Sequence, residues 1–272
     1  MRIAFLLLLH TLKRTRTIIL TTGILLGAFQ LVLIAVAGSI QNEGGFDQLA
    51  ALIPPFAREL LGPSMVSFLS FSGIVCLGYF HLAPMGSLVG LTIALATTPA
   101  SEIETGFIDL ILSRPVARHW IITRTIVMSV LATVFLLGLM IAGTWIGLKT
   151  LAPDGVQWPT PQLIRSLALN LGLLMLCWSG IALAIAAASR RRSVAGALSG
   201  LLALATFLLD YVGRLWHPAE SVAWLSPFRY FSPFDLVMGT PLPMKHLEVL
   251  AATALAGYLI AYAVFRTRDI SH

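Results

Sequence analysis

The chain has 272 residues, of which 57% are hydrophobic and 11% charged, with a formal net charge of +6 and a mean hydropathy of +0.88. A soluble domain carries about 25% charged residues, so this chain lacks the polar surface to solvate a globular exterior, and its composition is that of an integral membrane protein. The positive balance is not a nucleic-acid footprint, because the basic residues stand in short clusters beside apolar runs, where membrane topology accounts for them.

The N-terminal stretch is apolar, but it is short and lacks a small-residue cleavage site. A basic cluster (Lys13, Arg14, Arg16) follows it, so it is not expected to be a cleaved secretory signal. Within residues 2–17, Phe5, Leu8, Leu9 and Leu12 share one helical face and His10, Lys13, Arg14 and Thr17 another, with Leu7 breaking the pattern. Two readings stand: an elbow helix lying in the inner headgroup layer, or a direct extension of the first span.

A membrane-spanning helix needs roughly 20 predominantly apolar residues. Six runs qualify, at about residues 18–40, 66–98, 121–148, 163–189, 194–212 and 247–265. The first contains Gln30. The second has 33 residues, too long for a single straight crossing of a core about 30 Å thick, and holds His81 and Pro84. It is expected either to bend at the proline or to form a re-entrant hairpin; the bent helix preserves an even number of spans. An intramembrane polar or ionisable group is a functional candidate by default, which makes Gln30, His81 and Asp210 candidate pathway residues. Equally, His81 could satisfy a backbone group freed by Pro84, and Asp210 stands near a span end. Cys76 and Cys177 lie inside apolar runs, where they behave as small hydrophobes. No Cys/His metal spacing is present.

Between the second and third runs, residues 99–118 form a charged amphipathic connector. Ser101 and Glu104 have capping-box spacing, and Glu102 and Glu104 suit the start of a helix dipole. Ile103, Phe107, Leu110 and Ile111 recur at i, i+4, i+7 and i+8, giving one apolar stripe, and Pro115 stops the element. The spacing predicts one short helix over about 101–113. Its acidic start fits poorly on an anionic inner leaflet and better in a protein groove.

Arg190, Arg191 and Arg192 fill a very short turn between the fourth and fifth runs, which must form a tight hairpin. Gly23–Gly27, Gly86–Gly90, Gly143–Gly147 and Gly196–Gly200 have the spacing of close helix contacts, expected mainly within the chain. The connection 213–246 combines Trp216, Trp224, Phe228, Tyr230, Phe231 and Phe234 with five prolines. It suits the membrane–water interface, as a lid of short re-entrant helices or as a plug over helix ends. Six spans place both termini on one side. Counting Arg124 and Arg165 at the adjoining span ends, the termini and even-numbered connections hold twelve Lys/Arg residues and the other connections six, an asymmetry that is expected to put the termini in the cytoplasm.

The connector resembles the coupling region of type-2 ABC exporter permeases. Glu102, Glu104, Gly106, Leu110, Leu112, Ser113, Pro115, Val116 and Arg118 stand in register with that family's pattern, while Phe107 stands where the family more often has Thr. Fainter echoes are the segment Leu225–Pro233 and the ending Phe265–Ile270, in which Thr267 replaces an arginine. The resemblance implies an all-α membrane domain over residues 1–272, with an elbow, six spans, a cytoplasmic coupling helix and a re-entrant outer segment. It further implies a transport subunit rather than an enzyme, paired with a second permease chain. Two copies of a cytosolic ATPase would dock on Glu102, Glu104, Gly106, Phe107, Asp109, Leu110, Pro115 and Arg118. ATP and Mg would belong to that partner: none of the three lysines, Lys13, Lys149 and Lys245, follows a phosphate-binding glycine loop, and no cofactor is expected in this chain. The competing readings are an ATP-independent secondary carrier, a membrane-embedded enzyme and a purely structural scaffold, the last disfavoured by the elaborate connector helix. Neither an intramembrane carboxylate relay nor a recognisable catalytic motif supports the first two.

Overall fold

The computed structural model describes residues 2–46, 70–113 and 117–267, and every element in them is helical. Among the described residues, six helices are long and apolar enough to cross a membrane: Leu7–Asn42, Phe71–Ala96, His119–Leu151, Pro161–Ala188, Arg192–Leu215 and Met244–Thr267. Each coincides with one of the six apolar runs, so the chain is a multi-pass membrane protein by the length and composition of its helices.

Helix α1 (Arg2–Asn42) is 41 residues long and unbroken. At 1.5 Å per residue it reaches about 60 Å, twice a hydrocarbon core. Residues 2–17 therefore continue the first span directly, and no separate elbow forms. Nothing in this stretch stops a helix, since it holds neither Gly nor Pro before Gly23.

The second run is bent, but not at Pro84. It consists of α2 (Phe71–Leu77) and α3 (Leu82–Ala96), joined through Gly78, Tyr79, Phe80 and His81. Pro84 falls in the first turn of α3, where a missing N–H costs nothing. The His81 ring supplies the cap instead: its Nδ1 accepts from the Ala83 N–H at 3.2 Å. Residues 66–69 lie outside the described residues.

After two short helices, α4 (Thr98–Glu104) and α5 (Phe107–Leu112), come the long spans α6 (His119–Leu151) and α7 (Pro161–Ala188). Thr160 caps α7, its Oγ1 accepting from Leu163 N at 3.2 Å, with Pro161 as the first helical residue. The arginine turn then feeds α8 (Arg192–Leu215). Helix α7 is the hub, packing against α3, α6, α8 and the final span α11 (Met244–Thr267), while α1 packs on α6 and α2. Glycines set the two tightest crossings. A Cβ on Gly257 would lie 2.4 Å from the Gly180 carbonyl carbon, and one on Gly143 would lie 2.8 Å from the Gly27 carbonyl oxygen.

Between α8 and α11 the chain forms α9 (His217–Ala223), a 3-10 turn (Pro227–Tyr230) and α10 (Pro233–Val237). Each piece starts on or next to a proline, so the prolines open short helices rather than merely interrupting one. The segment folds onto the bundle. Ser226 Oγ donates to the Thr206 carbonyl at 2.8 Å, and the Phe228 ring sits 5.7 Å from that of Trp178 and 5.4 Å from that of Phe207.

The helices alternate in direction, so the bundle has two distinct ends. One gathers the N-terminal half of α1, helices α4 and α5, the start of α6, the arginine turn and the end of α11. The other gathers α2, the α6–α7 connection and the α8–α11 segment.

Candidate functional site

Helix α3 ends at Thr97, and the chain turns directly into α4, with Pro99 in the first turn where its missing N–H is harmless. Pro99, Ala100, Glu102 and Ile103 form the buried face of α4. Ala100 meets Ala186 of α7 and Ala195 of α8 in a small all-alanine cluster, which lets three helix ends approach closely.

Glu102 is only 4% exposed and faces Arg124 of α6, itself 5% exposed. One guanidinium nitrogen donates to both carboxylate oxygens, at 2.7 and 2.6 Å. Glu102, expected as a contact for a docking partner, has its charge engaged in an internal ion pair. Arg124, counted in the sequence only as a topology charge, is the residue that sequence reasoning missed. Its signal was present, because an arginine inside the apolar run 121–148 needs a buried partner.

Glu104 is exposed, and its Oε2 accepts from the backbone N–H of Arg192 at 2.9 Å. Helix α8 has no side-chain cap of its own from Arg191, so Glu104 caps it from another element, placing a negative charge at the positive end of the α8 dipole. The Arg192 guanidinium in turn donates to the Ala94 carbonyl of α3 at 3.2 Å. The expected capping box does not form, because the helix begins at Thr98 rather than Ser101 and Glu104 is engaged elsewhere.

The single helix expected over 101–113 is broken. Gly106 adopts φ +68, a left-handed turn that a side-chain-bearing residue resists, and α5 starts afresh after it. The break re-phases the apolar stripe. Ile103 stays buried, Phe107 is half-buried with its ring 6.3 Å from that of His10, and Leu110 is 61% exposed. Ile108, outside the expected stripe, is fully buried. Asp109 lies on α5, but its side chain is outside the described residues, as are Arg114, Pro115 and Val116. Arg118 is exposed just before α6.

The three pathway candidates do not come together. Gln30 is fully buried and lodged against Gly78 at the α2–α3 break, with neither amide atom hydrogen-bonded among the described residues. His81 serves as the α3 cap. Asp210 is 6% exposed, and its Oδ2 accepts from Arg214 Nε at 3.0 Å. Among the described residues no group of three or more His, Cys, Asp or Glu is placed to hold a metal ion.

Helix α4 is tied to α6 by a buried ion pair and to α8 by a helix cap, while α5 carries an exposed leucine at the arginine-rich end of the bundle. A force applied to α5 acts on a segment fastened to the third and fifth spans. No family model matches the sequence, and no curated protein matches it.

Proposed function

We propose that this chain is the membrane-spanning permease subunit of an ATP-binding-cassette transporter, working as an exporter. It lies in the cell's inner (plasma) membrane with both termini in the cytoplasm. It pairs with a second permease chain, contacts membrane lipid and receives two copies of a cytosolic ATPase subunit, which bind ATP and Mg. It takes no part in nucleic-acid binding and does no catalysis of its own.

The observation that carries this reading is the α4–α5 junction: a short helix with an exposed leucine, Leu110, set off by a left-handed glycine and following a helix fastened to two spans by Glu102 and Glu104. The residues of that junction are those in which the sequence resembles type-2 exporter permeases. In this scheme Leu110, Asp109, Pro115 and Arg118 meet the ATPase, with Phe107 at the edge of the contact. Glu102 and Glu104 act from the inside, as links that convert movement of α5 into movement of α6 and α8.

The test is purification of the tagged chain in mild detergent, followed by identification of a co-purifying soluble protein with a phosphate-binding loop and ATPase activity. Leu110→Glu, a change on an exposed side chain, should abolish that co-purification and leave the thermal stability of the chain within about 0.5 kcal/mol of the original. Undiminished co-purification of the ATPase with Leu110→Glu would exclude α5 as its docking element.

A further inference from the structure

A cavity of about 340 Å³ opens at the end of the bundle opposite α4 and α5, between α3, α8 and the segment after α9. Six aromatic rings line it: Phe80, Phe207, Tyr211, Phe228, Phe231 and Phe234. The rings come from the α2–α3 connection, α8, the 3-10 turn with the residue after it, and α10, and the centroids of the Phe80 and Phe234 rings lie 5.0 Å apart. Phe207 and Phe228 pack edge to face at 5.4 Å; a ring face turned to the cavity presents the negative side of its quadrupole to an occupant.

Asp210 and Arg214 both line this cavity as well. Arg214 engages only Oδ2 of Asp210; Oδ1 is buried and has no hydrogen-bond partner among the described residues. The pair is asymmetric, since the Arg214 side chain is 44% exposed and that of Asp210 only 9%. The guanidinium charge is thus shared with solvent, while the carboxylate stays in the low-dielectric wall. A buried carboxylate oxygen without a donor is costly, and an aromatic-lined cavity beside it is the arrangement that receives ammonium groups.

We infer that this cavity is a binding site for an organic cation, an ammonium or quaternary ammonium group with an apolar substituent, held by Asp210 and the surrounding rings. The same chemistry is presented by a soluble amphipathic cation and by the headgroup of an amine-bearing phospholipid. The site needs no ATPase and stands or falls independently of the transport reading.

The experiment uses the full chain in a neutral detergent, titrated calorimetrically with benzyltriethylammonium and, separately, with benzenesulfonate. The cation should bind saturably and the anion should not. Asp210→Asn should weaken cation binding at least tenfold. Arg214→Gln should instead tighten it several-fold, because it frees the carboxylate from its competing partner, a direction that a merely structural role would not produce. Phe234→Leu, at a half-exposed ring, should weaken it several-fold. Repeating the titration in bilayer discs identifies the natural source. Loss of binding in phosphatidylethanolamine discs but not in phosphatidylglycerol discs supports the site with lipid as its occupant, and equal binding in both supports it with a soluble cation. Absence of saturable cation binding would overturn the inference, as would equal affinity for the anion. So would Arg214→Gln binding no tighter than the original chain.

Discussion

Glu102 and Arg124 remove two opposite charges from water at one end of the bundle, with side chains 5% and 4% exposed. Such a pair adds little net stability over a well-packed apolar pair, but removing one partner strands the other charge and costs about 3–5 kcal/mol. Glu102→Ala and Arg124→Ala should therefore each lower the thermal midpoint in detergent sharply, while Glu102→Met with Arg124→Met should recover most of the loss. If the double variant is as unstable as the singles, the damage is to packing and not to charge. The neighbouring Glu104 behaves differently because it is exposed and acts as a helix cap. Glu104→Gln keeps an acceptor for the Arg192 N–H but loses the charge at the α8 dipole, and should cost only about 0.3 kcal/mol. Glu104→Ala removes the α8 cap and should cost about 1 kcal/mol, read by the same thermal scan. In the sequence both carboxylates looked alike, two acids in the first turn of an amphipathic helix. What separates them is which span each faces, and those contacts join residues 22 and 88 positions apart. Spacing within a single element carries no trace of them.

At the scale of elements, the helices were legible wherever apolar length decides, as in all six spans, and illegible wherever a single residue decides a boundary. The break in the second span was expected at Pro84, yet a proline in the first turn of a helix is harmless, and the bend lies earlier, where Gly78 lets Gln30 lie directly against the backbone. Gly106 was read as part of a motif rather than as a turn, so α4 and α5 were merged. The small-residue spacings divide in the same way. Gly143 and Gly147 pack against Gly27, Leu31 and Ile34 of α1, whereas Gly86, Gly90, Gly196 and Gly200 have nothing within 4 Å of an added Cβ. The crossing of Gly180 on Gly257 has no Gly-x-x-x-Gly spacing to reveal it; each glycine is followed four residues on by an alanine, Ala184 and Ala261. Gly257→Leu should force α7 and α11 apart. It should cost at least about 3 kcal/mol, since the obstructing atoms are backbone and cannot rotate away. Gly196→Leu should leave the fold of the isolated chain intact, and equal thermal midpoints for the two variants would show that the Gly180–Gly257 contact does not hold the spans together.

Across the whole molecule, the two ends differ in charge as well as in architecture. Lys13, Arg14, Arg16, Arg118, Arg124, the arginine turn and Arg266 belong to the end that bears α4 and α5. At the opposite end Lys149, Arg165, Arg214, Arg229 and Lys245 are more dispersed, and Arg214 and Arg229 are partly offset by Asp210 and Glu220. Short basic connections stay on the cytoplasmic side during insertion, and the arginine turn is the ground on which the proposed orientation rests. The chain suits a direct measurement of this. Its two native thiols, Cys76 and Cys177, are fully buried, so they should contribute little background to labelling by a membrane-impermeant maleimide. Asp154, in the α6–α7 connection, and Arg191, in the arginine turn, are both exposed and sit at opposite ends. In spheroplasts Asp154→Cys should label and Arg191→Cys should not; in inside-out vesicles the pattern should reverse. The opposite result would put α4 and α5 outside the cell, beyond the reach of any cytosolic ATPase. The buried ion pair and the α8 cap would then remain as features of the fold, with no energy-supplying partner for α5 to meet.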